Sequence, residues 1–198
     1  MAVFKALALL AAAFSLASAS PPPTYEPSDD AIPRIVCYLP GGWITGSAFR
    51  VGPKYLITAK HVIAQGTCVI NGRPVTIVYK SAKEDFAILE DDRLWGGRIP
   101  VDCNGYQLGH EYIAWGHARG IEELVTVTAI AVTGHYTDLS YLKLLSGIFS
   151  AQPGQSGGPI VDAETGRVVG IVNTGDWENG LTGSVELKTT PICGGHDA

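Results

Sequence analysis

The sequence predicts an all-β protein, and three observations predict it. The 198 residues include 24 glycines and 12 prolines, enough turn formers to divide the chain into many short elements. No stretch sustains the apolar period of a helix, and from Arg34 onward short apolar runs alternate with turn residues. A content of 46% hydrophobic and 17% charged residues is the balance of a soluble globular chain, which excludes disorder and a multi-span membrane protein.

Arg34-Ile35-Val36-Cys37-Tyr38-Leu39 reads as the first strand, closed by Pro40-Gly41-Gly42. Residues 43–49 form the second run and end at Gly52-Pro53, and residues 55–59 form the third, leading into Lys60-His61. Residues 67–70 and 74–79 flank Asn71-Gly72, a strong hairpin signal. Residues 85–89 close a first set of six runs. A similar succession follows at residues 112–115, 124–132, 141–145, 160–161, 168–172 and 182–187. The stretch 91–109, with Gly96-Gly97, Pro100 and Asn104-Gly105, reads as the connection. Two successive β lobes, 34–105 and 106–198, are the economical reading, although a single larger β-sandwich fits the strand count nearly as well.

Residues 1–19 read as a secretory signal. Lys5 precedes an apolar run from Ala6 to Phe14, and Ala17-Ser18-Ala19 offers a small-residue cleavage site. A membrane anchor is the alternative, but the run is shorter than the roughly 20 residues a spanning helix needs, so no stable membrane insertion is expected after cleavage. Residues 20–33, with Pro21-Pro22-Pro23, Pro27 and Pro33, favour an extended, poorly packed linker or short pro-segment. The net charge of −5 becomes −6 on loss of Lys5, and without a basic cluster it makes no case for nucleic acid. Four cysteines, Cys37, Cys68, Cys103 and Cys193, fit an exported protein in which three pairings are open, whereas a reducing cytoplasm would leave buried thiols. There is no CxxC, so zinc spacing is absent.

Three residues carry candidate chemistry. Ser156 stands among Gly154, Gly157 and Gly158, between Pro153 and Pro159. A serine that attacks a carbonyl must stand clear of its own backbone while amide N–H groups converge on the developing oxyanion, and glycine permits both. By itself the stretch is equally an ordinary Gly-rich turn. His61 follows the apolar run 56–59, where an imidazole can act as a base near neutral pH, although a lone histidine is more often a surface one. His110, His117, His135 and His196 lack that setting, and His110-Glu111 does not reach a second histidine at metalloprotease spacing because Ala114 stands there. Asp85 heads a buried run, where a carboxylate needs a partner such as an imidazole N–H, or else caps its own turn.

In the order His, Asp, Ser, these segments resemble the trypsin-like (chymotrypsin-fold) serine proteases. Residues 46–49 and 56–62 resemble the strand leading to the catalytic histidine, Asp85-Phe86-Ala87-Ile88-Leu89 the aspartate motif, and Pro153-Gly154-Gln155-Ser156-Gly157-Gly158-Pro159 the nucleophile motif. Residues 170–175 resemble the strand that follows. The likeness runs from about Arg34 to Leu187 and is nearest to compact bacterial and viral members, including the high-temperature-requirement and glutamyl-endopeptidase branches. It implies two six-stranded antiparallel β-barrels with the site in the cleft between them. It also implies a nucleophile Ser156, a general base His61, an orienting Asp85 and an oxyanion hole from the N–H groups of Gly154 and Ser156. Asn173, Thr174 and Gly175 would pair with the substrate backbone, and Ser150 would sit at the base of the specificity pocket. Neither metal nor cofactor is implied, and the expected partner is a polypeptide substrate met by a monomer.

Two departures from the pattern matter. Digestive members free an Ile-Val terminus whose ammonium pairs with an aspartate just before the nucleophile; Arg34-Ile35-Val36 resembles that cut site, but Gln155 replaces the aspartate. An amide supplies no charge for a buried ammonium, so the site is expected to assemble without cleavage at Arg34. Ser150 stands where trypsin-type members carry the aspartate for Arg or Lys, which favours a neutral, apolar or small P1 side chain, with Gly183 on the far wall and Asp176 able to overturn the choice. The resemblance implies that Cys37 and Cys68 both lie in the first barrel, where they could staple it, and that Cys103 in the connection could tie to Cys193 near the C-terminus. A catalytically silent binding or scaffold protein on the same fold is the alternative function, and an ester hydrolase a third.

Overall fold

The computed structural model describes residues 26–92, 97–132, 143–146, 150–176, 178 and 181–195, with backbone alone for 129–132, 143–146 and 181. The signal segment, residues 20–25, Gly96, His135, Tyr141, Leu142 and His196 of the sequence reading lie outside the described residues. Among the described residues, fourteen strands and short 3-10 turns make up the regular structure, with no α-helix. In the first half the strands are β1 (Arg34–Leu39), β2 (Gly42–Ser47), β3 (Phe49–Arg50), β4 (Tyr55–Thr58), β5 (Thr67–Ile70), β6 (Arg73–Pro74), β7 (Thr76–Lys80) and β8 (Ala87–Glu90). In the second they are β9 (Glu111–Gly116), β10 (Val125–Val132), β11 (Lys143–Ser146), β12 (Pro159–Asp162), β13 (Val168–Asp176) and β14 (Leu181–Glu186). The protein is all-β, as expected.

The second half closes into a six-stranded barrel in the order β10-β11-β14-β13-β12-β9. The first half differs from the expected closed barrel, forming two four-stranded sheets, β2-β1-β5-β6 and β3-β4-β8-β7. The cause is local. The second and fifth runs are each cut by one residue, Ala48 between β2 and β3 and Val75 between β6 and β7, and at these corners a strand leaves one sheet for the other. The β5–β6 hairpin turns at Asn71 and Gly72, with φ of 50° and 73°, the positive pair that a type I′ turn requires.

Each face of these sheets serves a separate core because strand side chains alternate. On β4, Leu56 packs into the core of the first half with Ile35, Ile63 and Leu89. Its neighbour Ile57 points into a core shared by both halves, where Phe49 and Phe86 meet Val161, Val168, Ile171 and Leu187. The lead-in enters that shared core as well, which corrects the expectation of a poorly packed segment. Pro27, Ala31, Ile32 and Pro33 are buried, a 3-10 turn covers Asp29–Ala31, and Pro33 accepts a backbone bond from Ala48 at 3.0 Å. Apolar side chains at 31 and 32 outweigh the extended bias of the prolines, since each removes its surface from water.

Both disulfides implied by the resemblance are formed. Cys37 and Cys68 are directly opposed on β1 and β5, with Cα atoms 4.0 Å apart, and Cys103 ties the connection to Cys193. Phe86 carries the junction, fully buried with Tyr79 edge-on at 5.9 Å between ring centroids. Phe86→Ala should cost about 3–5 kcal/mol, measured by urea unfolding; a loss below about 1 kcal/mol would contradict the placement of the shared core at this ring.

Candidate active site

The segment after β4 turns at Ala59 into the 3-10 turn Lys60–Ile63, which presents His61 at the surface while Val62 and Ile63 stay buried. Asp85 is brought opposite by the turn before β8, in which the Ser81 hydroxyl accepts the N–H groups of Lys83 and Glu84. Asp85 Oδ1 accepts the His61 backbone N–H at 2.8 Å, and Oδ2 accepts His61 Nδ1–H at 2.5 Å. An ionised carboxylate only accepts, so the ring proton sits on Nδ1 and Nε2 is left as the basic atom. From the second half, Asn173 Nδ2 donates to the same Oδ2 at 2.5 Å.

Burial alone would push the Asp85 carboxyl up, but the hydrogen bonds and charge of His61, with Lys60 behind, outweigh it and hold the group below its ordinary 3.8.

The nucleophile loop is built by two glycines that need positive φ. In the turn 152–155, closed by Gln155 N–H to the Gln152 carbonyl at 3.0 Å, Gly154 has φ of 94°, as the third residue of a type II turn demands. Gly157 has φ of 87°, and a Cβ there would run into the Ser47 carbonyl oxygen and the Thr58 hydroxyl. Its N–H donates to Val172 at 2.7 Å, while Ser47 N–H donates to the Ser156 carbonyl at 2.8 Å. The loop is thereby stitched to β13 on one side and β2 on the other. Among the described residues the N–H groups of Gly154 and Ser156 have no acceptor, and the Ser156 hydroxyl donates to the Asn173 carbonyl at 3.2 Å.

Gln155 is fully buried, yet all its partners are neutral. Its Oε1 accepts Gln152 N–H at 2.8 Å and its Nε2 donates to the Val125 carbonyl at 2.9 Å. Arg34-Ile35-Val36 lies within β1, paired with Ser47, Gly46 and Thr45 of β2, so it is strand interior and not an exposed cut site.

His61 and Ser156 line one cleft of about 290 Å³ with Ala151, Gln152, Pro153 and residues 172–175. His61, Ser156, Asn173, Thr174 and Gly175 thus line one cleft. Ser150 does not line this cleft; it is buried behind Gly175, where an added Cβ would approach its hydroxyl at 3.4 Å. Gly183 is backed against the Thr174 methyl. The sequence reading did not include Ala151, Gln152, Pro153 and Val172 in the cleft wall, or the Asn173 amide as a partner of Asp85. The first four carry no chemical signature, and the Asn173 bond needs the two halves docked before it can be seen.

The all-β architecture agrees with what the comparisons find. The trypsin-like peptidase domain model matches residues 46–171; the chain belongs to that family. No curated protein matches the sequence significantly. Among solved structures it is similar to a serine endoprotease from Yersinia pestis, at 20% identity over 83% of this chain and 61% of that one, with a TM-score of 0.69. The HtrA-type protease AlgW with a tripeptide is 21% identical over 83% of this chain and 59% of its own, with a TM-score of 0.68. The M. tuberculosis protease Rv3671c in an inactive form is 18% identical over 83% and 93%, with a TM-score of 0.63. These likenesses are of fold, and the chain spans about three fifths of the first two structures.

A depressed carboxyl stabilises the folded chain fully above its unfolded value and loses that contribution as pH falls through the lower folded value. The stability difference between wild type and Asp85→Asn, from urea unfolding, should shrink as pH drops below about 4. An unchanged difference from pH 6 to pH 3 would contradict the ionised, hydrogen-bonded Asp85.

Proposed function

We propose that the protein is a serine endopeptidase that hydrolyses peptide bonds through an acyl-enzyme. The observation that carries this reading is the orientation of His61. With Nδ1–H held by Asp85, Nε2 is left as the ring's acceptor, and His61 and Ser156 line the same cleft. Rotation of the Ser156 side chain exchanges the Asn173 carbonyl for His61 Nε2, which takes the hydroxyl proton as Oγ attacks the carbonyl carbon. The N–H groups of Gly154 and Ser156, which have no other acceptor among the described residues, receive the oxyanion. His61 then returns the proton to the leaving amine, and water repeats the sequence to release the acyl group. Asn173, Thr174 and Gly175 on β13 hold the substrate backbone as an added strand.

Among the described residues no carboxylate or ammonium lines the cleft, which supports a neutral, apolar or small P1 residue. The two disulfides and the signal-like residues 1–19 support a location outside the cytoplasm, where we read the enzyme as a monomer of two lobes, 34–105 and 106–198, acting on polypeptides. Neutral partners for Gln155, and Ile35 inside β1, support assembly of the site without a freed terminus.

The Ser156 bond to Asn173 favours the second reading, a silent scaffold of the same fold. One experiment separates the two. Purified protein should react with a serine-directed fluorophosphonate and cleave a peptide library after neutral side chains, with the Arg34-Ile35 bond intact in the labelled chain. Ser156→Ala should lose the label and at least about 10³-fold in rate. A folded wild type that neither labels nor cleaves is the scaffold, and labelling confined to protein cut after Arg34 would refute assembly without cleavage.

A further inference from the structure

An oxyanion hole works only if the peptide between Pro153 and Gly154 keeps its N–H toward the cleft. That peptide unit is planar and trans, so its carbonyl and N–H point opposite ways, and whatever holds the Pro153 carbonyl also aims the Gly154 N–H. The holder is Arg119, whose backbone N–H donates to the Pro153 carbonyl at 2.6 Å. The next carbonyl, of Gly154, accepts the Ser47 hydroxyl at 2.9 Å. Arg119 performs this from φ of 53° and ψ of 22°, followed by Gly120 at φ of 73°. A non-glycine residue keeps such angles only where its surroundings impose them.

The surroundings are organised by His117. Its backbone N–H donates to Ser47 Oγ at 2.9 Å, and its carbonyl accepts Gly120 N–H at 3.2 Å, closing the tight turn that carries Arg119. A Cβ on Gly154 would run into that same His117 carbonyl oxygen. The ring is 4% exposed, and its Nε2 bonds the Ile32 carbonyl at 2.8 Å. A carbonyl only accepts, so Nε2 carries the proton; Nδ1 has no partner among the described residues. Ile32 belongs to the lead-in and is itself fully buried in the core shared by both halves. A continuous path therefore runs from the lead-in through the His117 ring to the turn 117–120 and Ser47, and from both to the peptides flanking Gly154.

We propose that His117 is a positioning residue for the oxyanion hole, anchored on the Ile32 carbonyl, and that the lead-in is thereby a working part of the enzyme. This anchor replaces the buried ammonium and aspartate pair that Gln155 does not support. It rests on the reading of Ser156 as nucleophile. Its signature is a loss in the chemical step with substrate binding retained, because His117 meets the loop at Gly154 and is not among the residues lining the cleft.

Steady-state peptide hydrolysis by His117→Leu, His117→Gln and Ser47→Ala, with thermal unfolding of each, tests it. His117→Leu should lower kcat about 10- to 100-fold, less than removal of a whole oxyanion donor, with KM within about threefold of wild type. His117→Gln, whose amide N–H can reach the place of Nε2, should recover to within about fivefold of wild type. Ser47→Ala should lower kcat about 10-fold, and His117→Leu with Ser47→Ala should lose little beyond the worse single variant, because the two act in one path. His117 is among the residues that line a cavity of about 270 Å³. If His117→Leu does not fold, Ser47→Ala and the Gln variant decide. Wild-type kcat in folded His117→Leu or in Ser47→Ala, a Gln variant as slow as Leu, or a loss confined to KM would overturn the proposal. An inactive, unlabelled wild type would instead remove the nucleophile reading beneath it.

Discussion

The Asp85 carboxylate is the interaction on which the rest of the structure depends. It takes the backbone and ring N–H groups of His61 from the first half and the side-chain amide of Asn173 from the second. A partly buried carboxylate is costly without such donors, and here the donors arrive from both sides of the junction. The carboxylate that sets the imidazole tautomer therefore also registers one half against the other through Asn173, and a shift at the junction would loosen the candidate base.

Around that carboxylate the molecule is tied mostly by backbone. Ser47 N–H holds the Ser156 carbonyl, Gly157 N–H holds Val172, and Val172 N–H returns to Gly158 at 2.9 Å. Such bonds lack the long side chains whose ordering costs rotamer entropy, and they suit a loop whose conformation must be kept without charge. The shared core of Phe49, Phe86, Ile171 and Leu187 supplies the apolar driving force beneath them. The lead-in joins both systems, burying Ile32 in that core and offering its carbonyl to His117.

Much of this was legible in residue order. Alternation and turn residues marked the strands, and Asn71-Gly72 marked its hairpin, because both signals are local. The neighbours of His61, Asp85 and Ser156 were legible for the same reason, each lying in a short stereotyped stretch. The corners at Ala48 and Val75 were not, since a change of sheet partner leaves no trace in a pattern of period two. The burial of Ala31 and Ile32 was hidden behind prolines whose extended bias is real but weaker than a waiting apolar site. His117 passed as one histidine among several because its partners, Ile32 and Ser47, are 85 and 70 residues away. Ser150 was displaced by the depth of a pocket that only packing defines.

The central claim is that Ser156 attacks and that the Gly154 and Ser156 N–H groups receive the oxyanion. A crystal structure of the protein with a peptide boronic acid tests it most directly, because the tetrahedral boronate mimics the charged intermediate. The account predicts a bond from Ser156 Oγ to boron, with one boronate oxygen roughly 2.7–3.1 Å from both N–H groups and the Pro153 carbonyl still on Arg119. A boronate that leaves Ser156 unmodified, or an adduct whose oxygens meet neither N–H group, would contradict it.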